Sequence, residues 1–325
     1  MKAIAPRDGG TLEIRIPISP TRSFFAQVRF FEHCLRRLGP PYDTARLRIT
    51  VGNDADMDAV RRANRWSAGR PVEWIGVPAP VFAAYDMWGT ADYRYFLEPC
   101  ADLVVLADAD TIWLRDIDPL RGLMAERARP GRPGCVAGHM AHVPPHAPPG
   151  GALAGLAGAA LWPPLLAEFG LEMPEDGLQL HSKDPMGKRG RIPPYFNLGF
   201  LALTPAACAV MADAIFGLQD RLLEVYASEM RCQIAVTLAA LRHGLELMPL
   251  PAEYNAANDP YHFEVTGVAP EAVRVLHYQY RAAGVIRERI VLPEYRGETL
   301  ALRPDNPIDR LLLERVRDFL DATAG

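Results

Sequence analysis

The chain lacks most of what marks a secreted or membrane-inserted protein. No uninterrupted apolar stretch reaches membrane-spanning length, and the opening residues MKAIAPRDGGTLEIRI hold no apolar core of the kind a secretory leader needs. We therefore expect no transmembrane segment. The alanine- and glycine-rich run 152–161 is apolar but short, and Trp162, Pro163 and Pro164 close it. Cysteine is sparse: Cys34, Cys100, Cys135, Cys208 and Cys232 are odd in number, widely spaced and without a CxxC pair. They read as reduced thiols in a cytoplasmic protein. A surplus of one charge is absent too, with 35 basic against 39 acidic residues and a net charge of −4. No global field favours nucleic acid or an anionic membrane, so any phosphate binding has to come from local groups. There is no internal repeat.

What is present is an ordinary globular composition, 325 residues of which 49% are hydrophobic and 23% charged. Residues 12–18 alternate apolar and charged, as a strand does, and then reach Ser19-Pro20-Thr21. Phe24, Val28, Phe31, Leu35 and Leu38 come next at helical spacing, and Gly39-Pro40-Pro41 stops the helix. A strand at 47–51, a helix at 55–66 and a strand at 72–77 complete a βαβαβ alternation. That predicts an α/β fold with a mostly parallel sheet and helices on both faces. A helix at 91–98 is expected to lead into the apolar run that starts at Leu103. Further strands are expected at 135–138, 195–204, 245–249 and 273–277, and helices at 206–226 and 229–243. An amphipathic helix turning Leu312, Leu313, Val316 and Phe319 inward lies in 305–325 and reads as C-terminal packing. The intervening segment 139–194 is rich in proline, glycine and alanine and is expected to be an irregular insertion serving as a lid. His139, His142 and His146 read there as solvated loop histidines, near a basic patch of Lys183, Lys188, Arg189 and Arg191.

The stretch LVVLADADTIWL, residues 103–114, carries the chemistry. Leu103 to Leu106 read as a buried strand, with Asp108 and Asp110 at its C-terminal end, the edge at which α/β sheets bind ligands. In an extended segment residues two apart face one side, so both carboxylates can meet one hard cation and the phosphates it carries. Other Asp-x-Asp pairs are decoys. Asp54, Asp56 and Asp58 precede a helical run and read as turn and capping residues, while Asp116 and Asp118 stand before Pro119, where a helix begins. His277, at a strand end, reads from the residues alone as a core histidine.

Four motifs in order then resemble the nucleotide-sugar-dependent glycosyltransferases of the GT-A fold, and among them glycosyltransferase family 8. LVVLADADTIWLRDIDPL resembles that family's DxD strand, and YFNLGFLAL its FNxG strand. RCQIAVTLAALRHGLELMPLPAEYN resembles a helix that begins with an Asp-Gln pair and leads to an LPxxyN turn, and VLHYQ the strand that ends in a third metal ligand. The resemblance implies one GT-A domain over 1–325, with the 139–194 insertion as an acceptor lid. It implies a divalent metal, Mn2+ or Mg2+, held by Asp108, Asp110 and His277, and donor contacts from Arg94, Asp108, Ala109, Asn197, Gly199 and Arg281. Gln233 would sit near the anomeric carbon. The activity implied is transfer of a sugar from a nucleoside diphosphate sugar, such as a UDP-sugar, to a carbohydrate, lipid-linked or protein acceptor, with retention of configuration.

Three positions depart from the family pattern. The first strand ends in PISPTRSF where a small-residue and aspartate signature meets the uracil, Cys232 stands where the aspartate before Gln233 is usual, and the Gly-x-x-Lys phosphate clamp after His277 is missing. Two alternatives remain. A haloacid dehalogenase-type phosphatase also uses Asp-x-Asp after an apolar strand, but it needs a threonine or valine where Ile112 stands. The other is a catalytically degenerate nucleotide-sugar binder.

Overall fold

The computed structural model describes residues 11–174, 192–279, 287–304 and 306–323. The basic patch Lys183, Lys188, Arg189 and Arg191 and the expected donor contact Arg281 lie outside the described residues. Among the described residues, seven strands form the main sheet: β1 (Leu12–Ile18), β2 (Arg46–Val51), β3 (Val72–Gly76), β4 (Leu103–Ala107), β6 (Cys135–Met140), β7 (Phe196–Leu203) and β8 (Glu246–Leu250). Their order is β3-β2-β1-β4-β7-β6-β8, and only β7 runs against the rest. A smaller sheet joins β5 (Thr111–Trp113), β10 (Val275–His277) and β9 (Ala256–Ala257) in the order β5-β10-β9.

Both faces of the main sheet are covered, which is why β4 reads as an unbroken apolar run. Its residues alternate between two cores. Val104 and Leu106 pack with α6 (Pro205–Val225) and α7 (Arg231–His243), while Leu103, Val105 and Ala107 face the side of α1 (Arg22–Arg36) and α4 (Asp118–Arg127). The C-terminal helix α10 (Pro307–Ala322) buries Leu312, Leu313, Val316 and Phe319 in a third core with Ile112 and Leu276. Helix starts obey the side-chain chemistry of the turns: Thr21 caps α1, Thr204 caps α6, and Asn306 caps α10 just before Pro307. Asp56 caps α2 (Met57–Ala63), accepting from the backbone N–H groups of Asp58 and Ala59.

The structure corrects three expectations and adds one feature, the burial of charged residues in β1. Residues 108–110 are not extended: they form a turn that separates β4 from β5, and those two strands belong to different sheets. The Thr111 backbone N–H and hydroxyl both donate to the Asp108 carbonyl, at 3.2 and 2.8 Å, and close that turn. The helix before β4 is α3 (Ala79–Tyr93), which starts twelve residues earlier than expected and is interrupted at Asp86 (φ 55). Its buried residues Gly89, Thr90 and Asp92 mark no apolar stripe. The charged face of β1 is buried, because Glu13 and Arg15 pair at 2.6 Å and Arg15 also donates to the Arg94 carbonyl at 2.6 Å. The segment after β6 is not wholly irregular, since α5 (Trp162–Glu168) packs Trp162, Leu165 and Leu166 into the core.

Candidate active site

A cavity of about 370 Å³ opens at the sheet edge where β1 and β4 end and β7 begins. Ile18, Asp108, Asp110, Asn197, Gln233 and His277 stand on its wall. The turn after β4 presents the two carboxylates. The antiparallel pairing of His277 with Thr111 then carries the imidazole over them. His277 Nε2 donates to Asp110 Oδ1 at 3.1 Å and lies 3.9 Å from Asp108 Oδ2. Gly199 makes room for that ring, since a Cβ there would meet His277 Nδ1 at 2.3 Å. Glycine is needed here for space, as its φ is not in the left-handed region.

Two carboxylates and one imidazole, with donor atoms within 4.8 Å of one another, suit a divalent ion with mixed oxygen and nitrogen ligands. The cluster also calls for positive charge. Asp110, 7% exposed, is faced by His277 on one oxygen and by the Arg287 guanidinium on the other. Burial alone would raise the Asp110 pKa, but His277 and Arg287 outweigh it and hold the carboxyl below its ordinary range. Asp108 moves the other way, raised by burial and by repulsion from Asp110. Burial would lower the His277 pKa, yet the two carboxylates raise it.

These opposite shifts set a pH dependence. Without metal, the His277 contribution to stability is full below its unfolded pKa and is lost as pH rises through the raised folded value. The Asp110 contribution is present above its unfolded pKa and is lost as pH falls through the depressed one. The site thus stabilises the metal-free fold on the acid side of neutrality. A cation needs the lone pair of His277 and the ionised form of Asp108, so its binding displaces protons. Mn2+ affinity is therefore expected to rise from about pH 6 to about pH 8 while the metal-free melting temperature falls. Calorimetric titrations and thermal melts over that interval check both slopes, and an affinity that does not change with pH would refute the assignment of His277 as a ligand.

Asn197 and Ala109 line the cavity. The Asn197 amide oxygen accepts from the Gly199 N–H at 2.8 Å and from Asn255 Nδ2 at 2.9 Å, so its NH2 group is what it can offer a ligand. Gln233, in the first turn of α7, reaches the same wall. Arg94 is not on that wall. Its guanidinium donates to the carbonyls of Ala91 and Ala107, at 2.7 and 3.1 Å, and stands 3.9 Å from Asp108. It therefore braces the turn from behind. None of residues 141–174, the described bulk of the insertion, lines the cavity.

Three features had no clear signal in the sequence. Arg287 and Glu288 line the cavity, but they stand eight and nine residues past the last motif, which ends at Gln279, in a stretch with no periodicity. Cys232 is buried, with Sγ 3.4 Å from Asp92 Oδ2, so a carboxylate from α3 lies beside the position where the aspartate is missing. Burial pushes the Asp92 carboxyl up to about 6, against hydrogen bonds from Cys232 and Gln219. Of the histidines expected to be solvated, only His146 is exposed; His139 and His142 are buried beside His262.

No protein-family model matches the chain, and no curated protein matches it in sequence. Solved structures do match. The galactosyltransferase LgtC in complex with donor and acceptor sugar analogues superposes with a TM-score of 0.54 at 14% identity, over 95% of each chain. An active-site mutant of LgtC gives 0.50 at 16% identity, again over 95% of each. The glycosyltransferase GlyE of Streptococcus pneumoniae gives 0.51 at 11% identity, over 97% of this chain and 63% of that one. The shared feature is the fold. The chain has the GT-A fold that its four motifs led us to expect, built on the mixed seven-stranded sheet.

Proposed function

We propose that this protein is a glycosyltransferase that moves a sugar from a nucleoside diphosphate sugar, with a UDP-sugar as the first candidate, to a carbohydrate, lipid-linked or protein acceptor. The observation that carries the reading is the Asp108, Asp110 and His277 cluster at the mouth of a cavity on the ligand-binding edge of a GT-A fold. The cavity, about 370 Å³, falls within the roughly 300–1,000 Å³ of small-ligand sites. Its walls divide the labour: Phe24, Met87 and Trp88 offer apolar surface to a base or sugar, and Asp108, Asp110, His277 and Arg287 gather at the polar end.

Asp108, Asp110 and His277 would hold a divalent cation, for which Mn2+ or Mg2+ is the natural occupant of so oxygen-rich a set. Such an ion supplies counter-charge to a diphosphate and to the negative charge that grows on it as the glycosidic bond breaks. The chain's own groups do the rest. Arg94 and the Thr111 hydroxyl hold the turn that aims the carboxylates. Arg287 forms an ion pair with Asp110 and is the cation in place to turn toward a phosphate, in the role expected of Arg281. Asn197 and Gln233 present neutral amides to the sugar. Among the described residues the cavity carboxylates are Asp108, Asp110 and Glu288; the first two belong to the cation cluster, and Glu288 is paired with Arg287 at 3.0 Å. A front-face path with retention, past Gln233, is the stereochemical reading we adopt.

The phosphatase alternative has lost its footing, because the sheet carries the reversed strand β7 beside β4 and the superposed proteins are sugar transferases. The test is a thermal-shift panel of nucleotide sugars with and without Mn2+, and then an assay of nucleotide release. A ligand that binds only the folded state raises the melting temperature, and one donor class is expected to do so only with the cation. A panel with no Mn2+-dependent shift for any nucleotide sugar would sink the proposal, and binding without nucleotide release would identify a degenerate binder.

A further inference from the structure

Beside the donor cavity lies a second group of metal-ligating side chains. His139 is the penultimate residue of β6, His142 lies two residues past that strand, and His262 belongs to α8 (Pro260–Thr266). All three are buried, at 6%, 4% and 0% exposure, and their ligating nitrogens lie within 4.8 Å of one another. The rings converge without stacking. His262 meets His139 and His142 at interplanar angles of 87° and 84°, with centroids 5.8 and 5.0 Å apart.

We infer that His139, His142 and His262 form a binding site for a divalent transition-metal ion of the zinc class, separate from the cation site at Asp108, Asp110 and His277. Three observations carry this. First, the donors are three imidazoles, which suit Zn2+, Co2+ or Ni2+ and do not suit Mg2+ or Ca2+. Second, His139 is already oriented as a ligand. Its Nδ1 lies 3.1 Å from the Leu250 carbonyl, which calls for a proton on that nitrogen and leaves the lone pair on Nε2. That Nε2 is buried and has no hydrogen-bond partner among the described residues. Third, β6 and β8 fix the orienting pair rigidly, because His139 and Leu250 are register partners in the parallel ladder.

In a tetrahedral zinc site the ligand nitrogens are about 3.3 Å apart, so small ring rotations bring the three to an ion. Three protein ligands leave a fourth position for water or another ligand. The ion would tie the end of β6 and the chain that leaves it to the first turn of α8. The His142 ring stands 6.4 Å, centroid to centroid, from that of His277, so this clamp would also steady the wall of the donor site. The inference does not depend on the glycosyltransferase reading, as it concerns other ligands and another class of ion.

The test uses the full chain, stripped of metal and titrated with Co2+, whose visible absorption is strong in tetrahedral sites, and with Zn2+ measured by elemental analysis after desalting. Asp110→Ala disables the oxygen-rich site and should still take up one ion per chain. Asp110→Ala/His262→Ala should take up none, and excess Mg2+ should not displace the ion that Asp110→Ala takes up. Should that double variant not fold, Asp110→Ala/His139→Gln makes the same test while keeping a polar ring-sized group. No Zn2+ or Co2+ uptake by folded Asp110→Ala overturns the inference, as does undiminished uptake when a histidine is also removed.

Discussion

Asp110→Ala is expected to lower Mn2+ affinity by at least about 100-fold, since loss of a group that merely orients a ligand already costs about 10–100-fold and Asp110 is a direct ligand in this reading. The physical reason lies in its two oxygens. One accepts from His277 Nε2 at 3.1 Å and the other pairs with Arg287, so Asp110 is the hub of the cluster, while Asp108 keeps 34% of its side chain open. Without Asp110 an ion keeps one carboxylate, Asp108, and one imidazole, His277. A diphosphate then meets an incomplete counter-charge, so Mn2+-dependent donor binding should fall in step. Gln233→Ala should behave differently. A neutral amide contributes little to diphosphate binding, so donor affinity should survive while turnover falls, the pattern of an interaction made mainly in the transition state. Calorimetric titration of Mn2+ and donor, with turnover measured on the same two variants, separates these outcomes. If Asp110→Ala binds Mn2+ and donor as the parent does, Asp108 and Asp110 are turn residues and the proposed site is wrong.

The sequence disclosed the parts of this site that rest on short-range pattern. Leu103 to Leu106 had to be a strand covered on both faces, and a buried strand of an α/β sheet delivers the residues at its C-terminal end, here Asp108 and Asp110, to the binding edge. The alternation that marked β1 was equally legible, but its burial was not, because the Glu13–Arg15 pair that permits it is closed by the distant Arg94 carbonyl and Arg48. The turn at 108–110 was hidden for a related reason. Thr111, Ile112 and Trp113 are as strand-like as Leu103 to Leu106, and only their pairing with β10, more than 160 residues away in the sequence, draws them into another sheet. His277 was readable as a ligand only through resemblance, since a histidine at a strand end is more often a core residue. His262 carried no signal at all: it sits in a seven-residue helix with no periodicity to announce it, and only folding brings it to His139 and His142. Local pattern therefore located the carboxylates, and long-range pairing supplied the imidazoles.

Gly199→Ala should disable the metal site without removing any ligand. The added methyl would sit 2.3 Å from His277 Nδ1 and 2.4 Å from Cε1, and something must move. The backbone of His277 has little freedom, held between Thr111 of β5 and Ala257 of β9. The Gly199 side is equally fixed: its N–H donates to Asn197 and its carbonyl accepts from Asp108, at 2.8 and 3.3 Å. The ring is what yields, and as it turns, Nε2 leaves Asp110. Overpacking of this kind costs about 1–3 kcal/mol, so the melting temperature should fall, and Mn2+ affinity should fall by at least about 10-fold. A double variant distinguishes displacement of the ring from general damage. In Gly199→Ala/His277→Ala the methyl occupies space the imidazole has vacated, so stability should recover relative to Gly199→Ala while metal binding stays lost. The two substitutions should thus be strongly non-additive in stability, as contacting residues are. Additive losses of stability, or a Gly199→Ala chain that melts and binds Mn2+ like the parent, would show that His277 does not need the space this glycine leaves.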